Sequence, residues 1–231
     1  MKKTPYRLFF AASLALSVLS CGQKTEETTE TEEMTESPTR FGGLALYTVR
    51  DAMGQDPKGT LQAVVDAGYA YVEAAGYADG KFYGMEPTEF KSYLDSLGLQ
   101  PKSTHMGGVT LDNADEQIAA AKAAGFEYFV IPVPPMGMFT IGPEGLRMKG
   151  TKEELITILT TIGKKCSAAG LKLLYHNHDF EFKPGEDGST LTDYILQNTD
   201  PAYVNYQMDL FWVTKAGADP LAYFEKYPGR F

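Results

Sequence analysis

The stretch "KLLYHNHDFEF", Lys172 to Phe182, holds two of the three histidines of a 231-residue chain on either side of a single asparagine. Leu173, Leu174 and Tyr175 make an apolar lead-in that reads as a buried strand. On a strand, positions i and i+2 point to one face about 7 Å apart, so His176 and His178 are expected to share a pocket. The glycine upstream, in "CSAAGLKLLYHNH", closes a helical pattern before this strand begins. Gly170 is therefore expected just past a helix, where a residue that accepts left-handed backbone is favoured.

The same grammar recurs in "VVDAGYAYVEAAG", "YLDSLGLQPKSTH" and "AKAAGFEYFVIP", with turns at Gly68, Gly98 and Gly125. Helix, glycine and strand alternate, which argues for βα units and a parallel sheet. The expected strands are Leu44–Tyr47, Tyr71–Glu73, Lys102–His105, Tyr128–Ile131, Leu173–His178 and Val204–Asp209. Helices are expected near Thr60–Ala67, Pro87–Leu97, Asn113–Ala124, Lys152–Ala169, Leu191–Gln197 and Pro220–Lys226. A long loop, "VPPMGMFTIGPEGLRMKG", follows the fourth strand. Loops of that length in compact domains are usually functional lids or mobile segments.

The C-terminal ends of these strands collect the polar chemistry. Tyr47 and Arg50 follow the first, Glu73 the second, His105 the third, His176 and His178 the fifth, and Asp209 the sixth. Ligands bind at that edge in open α/β sheets, and active sites are built there in closed barrels.

The N-terminus has a separate logic. Lys2, Lys3 and Arg7 precede an apolar run from Leu8 to Leu19. The run is shorter than the roughly 20 residues that span a bilayer, so residues 1–20 read as a secretory signal. "VLSC" resembles the lipobox of bacterial lipoproteins, which implies that Cys21 is lipidated and that the protein is anchored at the bacterial cell envelope. Residues 22–40 follow as an acidic tether. Six glutamates and no aromatic residue in "KTEETTETEEMTESPTR" leave too little apolar surface to offset chain entropy. The remaining segment, 41–231, is long enough for one domain with a substantial core. The chain's net charge is −9 with no basic cluster, which argues against a nucleic-acid partner. Cys166 lies in a helical pattern and is expected to be a buried structural thiol.

"LALYTVRD", "STHMG", "YHNHDFEF" and "MDLFWVTKAGADPLAYFEKYPGRF" together resemble the sugar phosphate isomerase/epimerase family, with its xylose isomerase-like (β/α)8 TIM barrel. The likeness runs from about Gly43 to Phe231. It implies an α/β fold with about six of the eight βα units in this chain. It also implies a divalent metal ion (manganese, zinc or magnesium) over the strand ends, a small-molecule sugar or keto-sugar as substrate, and proton abstraction beside a carbonyl through an enediolate. Asp209 matches the family's sixth-strand aspartate ligand. His176 stands where many relatives carry a glutamate ligand, and imidazole suits the same metals. His178 then faces substrate as a candidate catalytic group. Glu181 is a further candidate base, although alternation puts it opposite His176 unless the strand has ended. Tyr47, Arg50, Glu73, His105 and Trp212 are candidate substrate-binding residues, with Phe211 a possible wall.

The family continues to a seventh strand with a histidine ligand and an eighth with a glutamate ligand, so the 231 residues are expected to be a fragment of a longer product that on its own binds metal weakly and can be inactive. Two other reactions of the fold, keto-glycoside lysis or hydration and sugar dehydration, share the first proton transfer. A non-catalytic carbohydrate-binding lipoprotein would keep the aromatic wall without the metal. An amidohydrolase-type centre also uses H-x-H, but on the first strand with more histidines downstream, and here none follows His178.

Overall fold

The computed structural model describes residues 40–231 apart from 136, 144, 186 and 187; the signal, Cys21 and nearly all of the tether lie outside them. Six parallel strands form one sheet in chain order: β1 Phe41–Ala45, β2 Tyr69–Ala74, β3 Gln100–His105, β4 Tyr128–Ile131, β5 Lys172–His176 and β6 Val204–Gln207. They curl into a half-barrel with helices between them, as in a partial TIM barrel.

The connecting helices are α1 Arg50–Gln55, α2 Pro57–Asp66, α3 Pro87–Leu97, α4 Ala114–Ala123, α5 Lys152–Ala169 and α6 Leu191–Asn198. After β6 come α7 Leu210–Lys215 and α8 Pro220–Lys226. Their limits follow from local chemistry. Thr151 and Glu154 exchange hydrogen bonds in a capping box that starts α5, and Gly170 at φ 83° ends it. Pro57, Pro87 and Pro220 open their helices, where a missing N–H costs nothing.

Register and alternation divide each strand between two faces. Val72, Phe129, Ile131, Leu173, Tyr175, Val204 and Tyr206 are buried and belong to one core with Leu61, Phe90, Leu94, Leu155, Leu159, Ile162 and Cys166 of the helices. Burial pushes the Cys166 thiol up to about 12, as expected of a structural cysteine. The packing between α5 and the start of β6 admits no side chain at Gly163, because a Cβ there would lie 2.4 Å from the Tyr203 carbonyl oxygen. On the other face Glu73, Ser103, His105, His176 and Gln207 join in one hydrogen-bonded cluster.

Several boundaries differ from the sequence reading. The first strand stops at Ala45, and Leu46–Val49 turn as a 3-10 helix, so Tyr47 stands beyond the strand. β5 ends at His176, leaving His178 outside it. β6 ends at Gln207, and Asp209 caps α7, a helix the periodicity did not reveal. The long loop contains a hairpin, Phe139–Gly142 with Gly145–Met148. A second small hairpin, Tyr77–Ala78 with Lys81–Phe82, follows β2. At the free edge of β6 the Tyr206 N–H donates to the Arg230 carbonyl at 2.8 Å, while the Arg230 guanidinium is buried against the Leu196 and Val204 carbonyls.

Candidate active site

A cavity of 460 Å³ opens at the C-terminal ends of the strands. Its wall takes Tyr47 after β1, Glu73 from β2, His105 from β3, Pro132 after β4, His176 and His178 from the end of β5, and Asp209 and Trp212 after β6. A separate 510 Å³ cavity beside β6, with Tyr206, Phe224 and Phe231 in its wall, holds no histidine, aspartate or glutamate. All three histidines line the first.

The three histidines form a row. The His105 and His176 ring centroids are 4.8 Å apart, those of His176 and His178 are 5.3 Å apart at 79°, and His178 packs on Trp212 at 5.1 Å. Asn177, between the pair, turns the other way and is fully buried. Its side chain accepts from the Asp209 N–H at 2.9 Å and donates to the Asp209 carbonyl at 3.2 Å. The H-N-H stretch thus sends two imidazoles to the cavity and uses the intervening amide to bind β5 to the segment that carries Asp209. The Asp209 carboxylate caps α7 by accepting from the Trp212 N–H at 3.1 Å, which orients it at the end of β6.

Below the row lies a charged network. Glu73 accepts from Ser103 Oγ at 2.6 Å and from Gln207 Nε2, and its Oε1 is 3.0 Å from His105 Nε2. Gln207 Oε1 lies 3.0 Å from both His105 Nε2 and His176 Nδ1. Burial acts to raise the Glu73 pKa, but His105, Ser103 and Gln207 together hold it down at about 2. His105 is raised because its pairing with Glu73 outweighs burial, which acts the other way. His176 falls to about 4 through burial and the nearness of His105 and His178. His178 is lowered chiefly by burial, and its Nδ1 is buried without a hydrogen-bond partner.

The remaining candidate residues sort by position. Tyr47 lines the cavity with 62% of its surface exposed. Arg50 does not line it: the guanidinium lies over the Tyr47 ring at 4.9 Å and donates to the Tyr47 carbonyl at 3.2 Å. Phe211 is exposed and also outside the lining. Glu181 does not reach the cavity either. It sits in the 3-10 turn Phe180–Phe182, fully buried, accepting from Tyr175 Oη at 2.9 Å and from the His178 N–H at 2.8 Å. Although β5 has ended, the turn folds Glu181 under the sheet towards the outward-facing Tyr175. Burial raises its carboxyl to about 8. Sequence reasoning missed Ser103, Asn177 and Gln207. Gln207 was within reach, since on the expected strand Val204–Asp209 it stands two residues before Asp209 and shares its face by alternation.

Whether these residues suit a divalent cation can be judged from the donors. His176 Nε2 and Asp209 Oδ2 are 3.9 Å apart, too far for a hydrogen bond. Two ligands each about 2.0–2.2 Å from one ion stand about 3–4 Å apart. The pair fits in chemistry and spacing as the first two ligands. Among the described residues no three histidine, cysteine, aspartate or glutamate side chains are grouped to hold a metal, so the set is not complete within them.

No family model matches the chain, and no curated protein is significantly similar to it. Solved structures are similar. A sugar phosphate isomerase/epimerase from Parabacteroides distasonis ATCC 8503 is 25% identical, with a TM-score of 0.69 over 85% of this chain and 74% of that one. An L-ribulose 3-epimerase is 13% identical, with a TM-score of 0.60 over 82% of this chain and 67% of that one. The IOLI protein with a bound zinc atom is also 13% identical, with a TM-score of 0.53 over 77% of this chain and 66% of that one. The neighbours are sugar phosphate isomerase/epimerase and xylose isomerase-like TIM-barrel proteins, and this chain shares their fold as a half-barrel.

Proposed function

We propose that the chain is an isomerase or epimerase that moves a proton beside the carbonyl of a free sugar or keto-sugar. The observation that carries this reading is the meeting of all three histidines of the chain with Glu73 and Asp209 in one cavity at the strand ends. His176 and Asp209 would hold a divalent cation (manganese, zinc or magnesium), with other positions filled by water, substrate or residues outside those described. Such a cation, when bound, polarises a carbonyl and acidifies the C–H beside it. His178 takes that proton on a ring nitrogen and returns it to the neighbouring carbon, or to the opposite face of the same one. Trp212 fixes the His178 ring from behind, and Tyr47 supplies an aromatic wall for the sugar's C–H surface. Glu73, ionised and held by three donors, stays a fixed negative charge rather than a proton carrier. Elimination from the same carbanion would make the enzyme a lyase or dehydratase, and the first step is common to all.

Exchange of solvent deuterium into a panel of free sugars and keto-sugars, with manganese added, tests that step. Exchange into at least one is expected, and His178→Ala should slow it about 10²–10⁴-fold. If no sugar exchanges, the reading fails.

An envelope location, with Cys21 lipidated, is proposed from the sequence of residues 1–21 alone. Cys21→Ser should move the protein from the membrane to the soluble fraction; an unchanged distribution would rule the anchor out.

A further inference from the structure

We infer that Gln207 is a positioning residue that fixes the tautomer of His176, leaving it with a bare Nε2 on the side of Asp209. Gln207 reaches across the half-barrel from β6 to Glu73 on β2. The ionised Glu73 carboxylate accepts hydrogen bonds and donates none. A reversed Gln207 amide would set its oxygen against Glu73 and its NH₂ against two ring nitrogens, so the amide stands one way. Its oxygen can then only accept, and both ring nitrogens 3.0 Å away must carry hydrogen: Nδ1 of His176 and Nε2 of His105. A neutral imidazole has a single N–H. The lone pair of His176 therefore lies on Nε2, the atom 3.9 Å from Asp209 Oδ2. Ser103, donating to Glu73 at 2.6 Å, begins a chain of fixed donors and acceptors that ends at that lone pair. Histidine tautomers are commonly set by the bond made by the other ring nitrogen; here a carboxamide sets that of His176, while Glu73 shares the hold on His105. The inference concerns which atoms carry hydrogen and holds for any substrate.

The chain has only three histidines, and all three line this cavity, so the imidazole nitrogen spectrum of the full chain reports on the site alone. We would record it with ¹⁵N-labelled histidine at neutral pH, with a chelator present so that no metal dictates the tautomer. The wild type should show protonated Nδ1 and bare Nε2 for His176, and protonated Nε2 for His105. In Gln207→Leu, His176 should lose its single-tautomer pattern while His105, still held by Glu73, keeps its own. The paired exchange Glu73→Gln with Gln207→Glu retains a donor at 73 and an acceptor at 207, and should restore the His176 pattern. A proton on Nε2 of His176 in the wild type overturns the inference whether or not the variants fold. An unchanged His176 pattern in Gln207→Leu overturns it as well. Neither result bears on sugar exchange, so the two readings fail separately.

Discussion

Glu73 and Glu181 are both carboxylic acids withdrawn from water at the same end of the half-barrel, yet one is held at about 2 and the other is raised to about 8. Burial raises both. Glu73, on the inner face, meets three side-chain donors, one of them a histidine whose own pKa is raised. Glu181 is fully buried beneath the end of β5 and meets a phenol and the backbone N–H groups of His178 and of its own residue, while the Asp179 carboxylate acts to raise it further. The lesson is that the donor set, more than depth, decides whether a buried carboxyl keeps its charge. The inner face is arranged for charge, and the layer behind it keeps Glu181 protonated at neutral pH.

The largest test of this contrast is Glu181 itself. Its native pKa lies above the ordinary 4.5, so the folded state retains a proton that the unfolded chain releases. Its contribution is full at low pH and is lost as pH rises from about 4.5 to about 8. The wild type should lose about 1.4 kcal/mol per pH unit across that window, about 5 kcal/mol in all. Urea unfolding at a series of pH values should show that slope vanish in Glu181→Gln; an equal slope in both proteins would break the comparison.

Glu73 should behave with the opposite sign. Its native pKa is depressed, so its stabilisation is present above about 4.5 and lost as pH falls towards about 2, by about 3 kcal/mol. Acid unfolding of Glu73→Gln should lack that loss, and an unaltered acid limb would show that the network does not hold the charge. Next in size is Ser103→Ala, which takes one donor from an ionised group. A stability loss of about 1.5–3 kcal/mol at neutral pH is expected, with the acid limb of the unfolding profile moved upwards. The smallest effect is expected for Tyr175→Phe, where the lost bond is to a protonated acid, at about 0.5–1.5 kcal/mol. A loss larger than that of Ser103→Ala would mean that Glu181 is ionised at neutral pH.

Much of this arrangement was legible in the chain, because it rests on local rules. The glycine turns announced βα repeats, and all three histidines stand at or just past strand ends, where the repeats put them. The row of His105, His176 and His178 follows from that placement. What escaped was of two kinds. Strand ends were read too late at both Tyr47 and His178, since turns of a few residues look like continuations of the apolar pattern. The Asp209 cap of α7 was readable in "MDLFW" as an acceptor ahead of a helix, but the helix has only six residues and little periodicity. The other kind is long-range. Gln207 and Glu73 are 134 residues apart, and no local signal pairs them. Arg50, read as a substrate contact, instead stacks on its neighbour Tyr47.

The Asn177 amide, hidden behind the histidines and bonded to both the N–H and the carbonyl of Asp209, separates two kinds of freedom. Side chains that face the cavity can be exchanged without loosening the backbone that carries the acid, which is anchored by a buried residue outside the cavity wall. A library that randomises Tyr47 and spares Asn177 should keep the strand-end geometry in most of its members. One that includes Asn177 should scatter it before any selectivity could be seen.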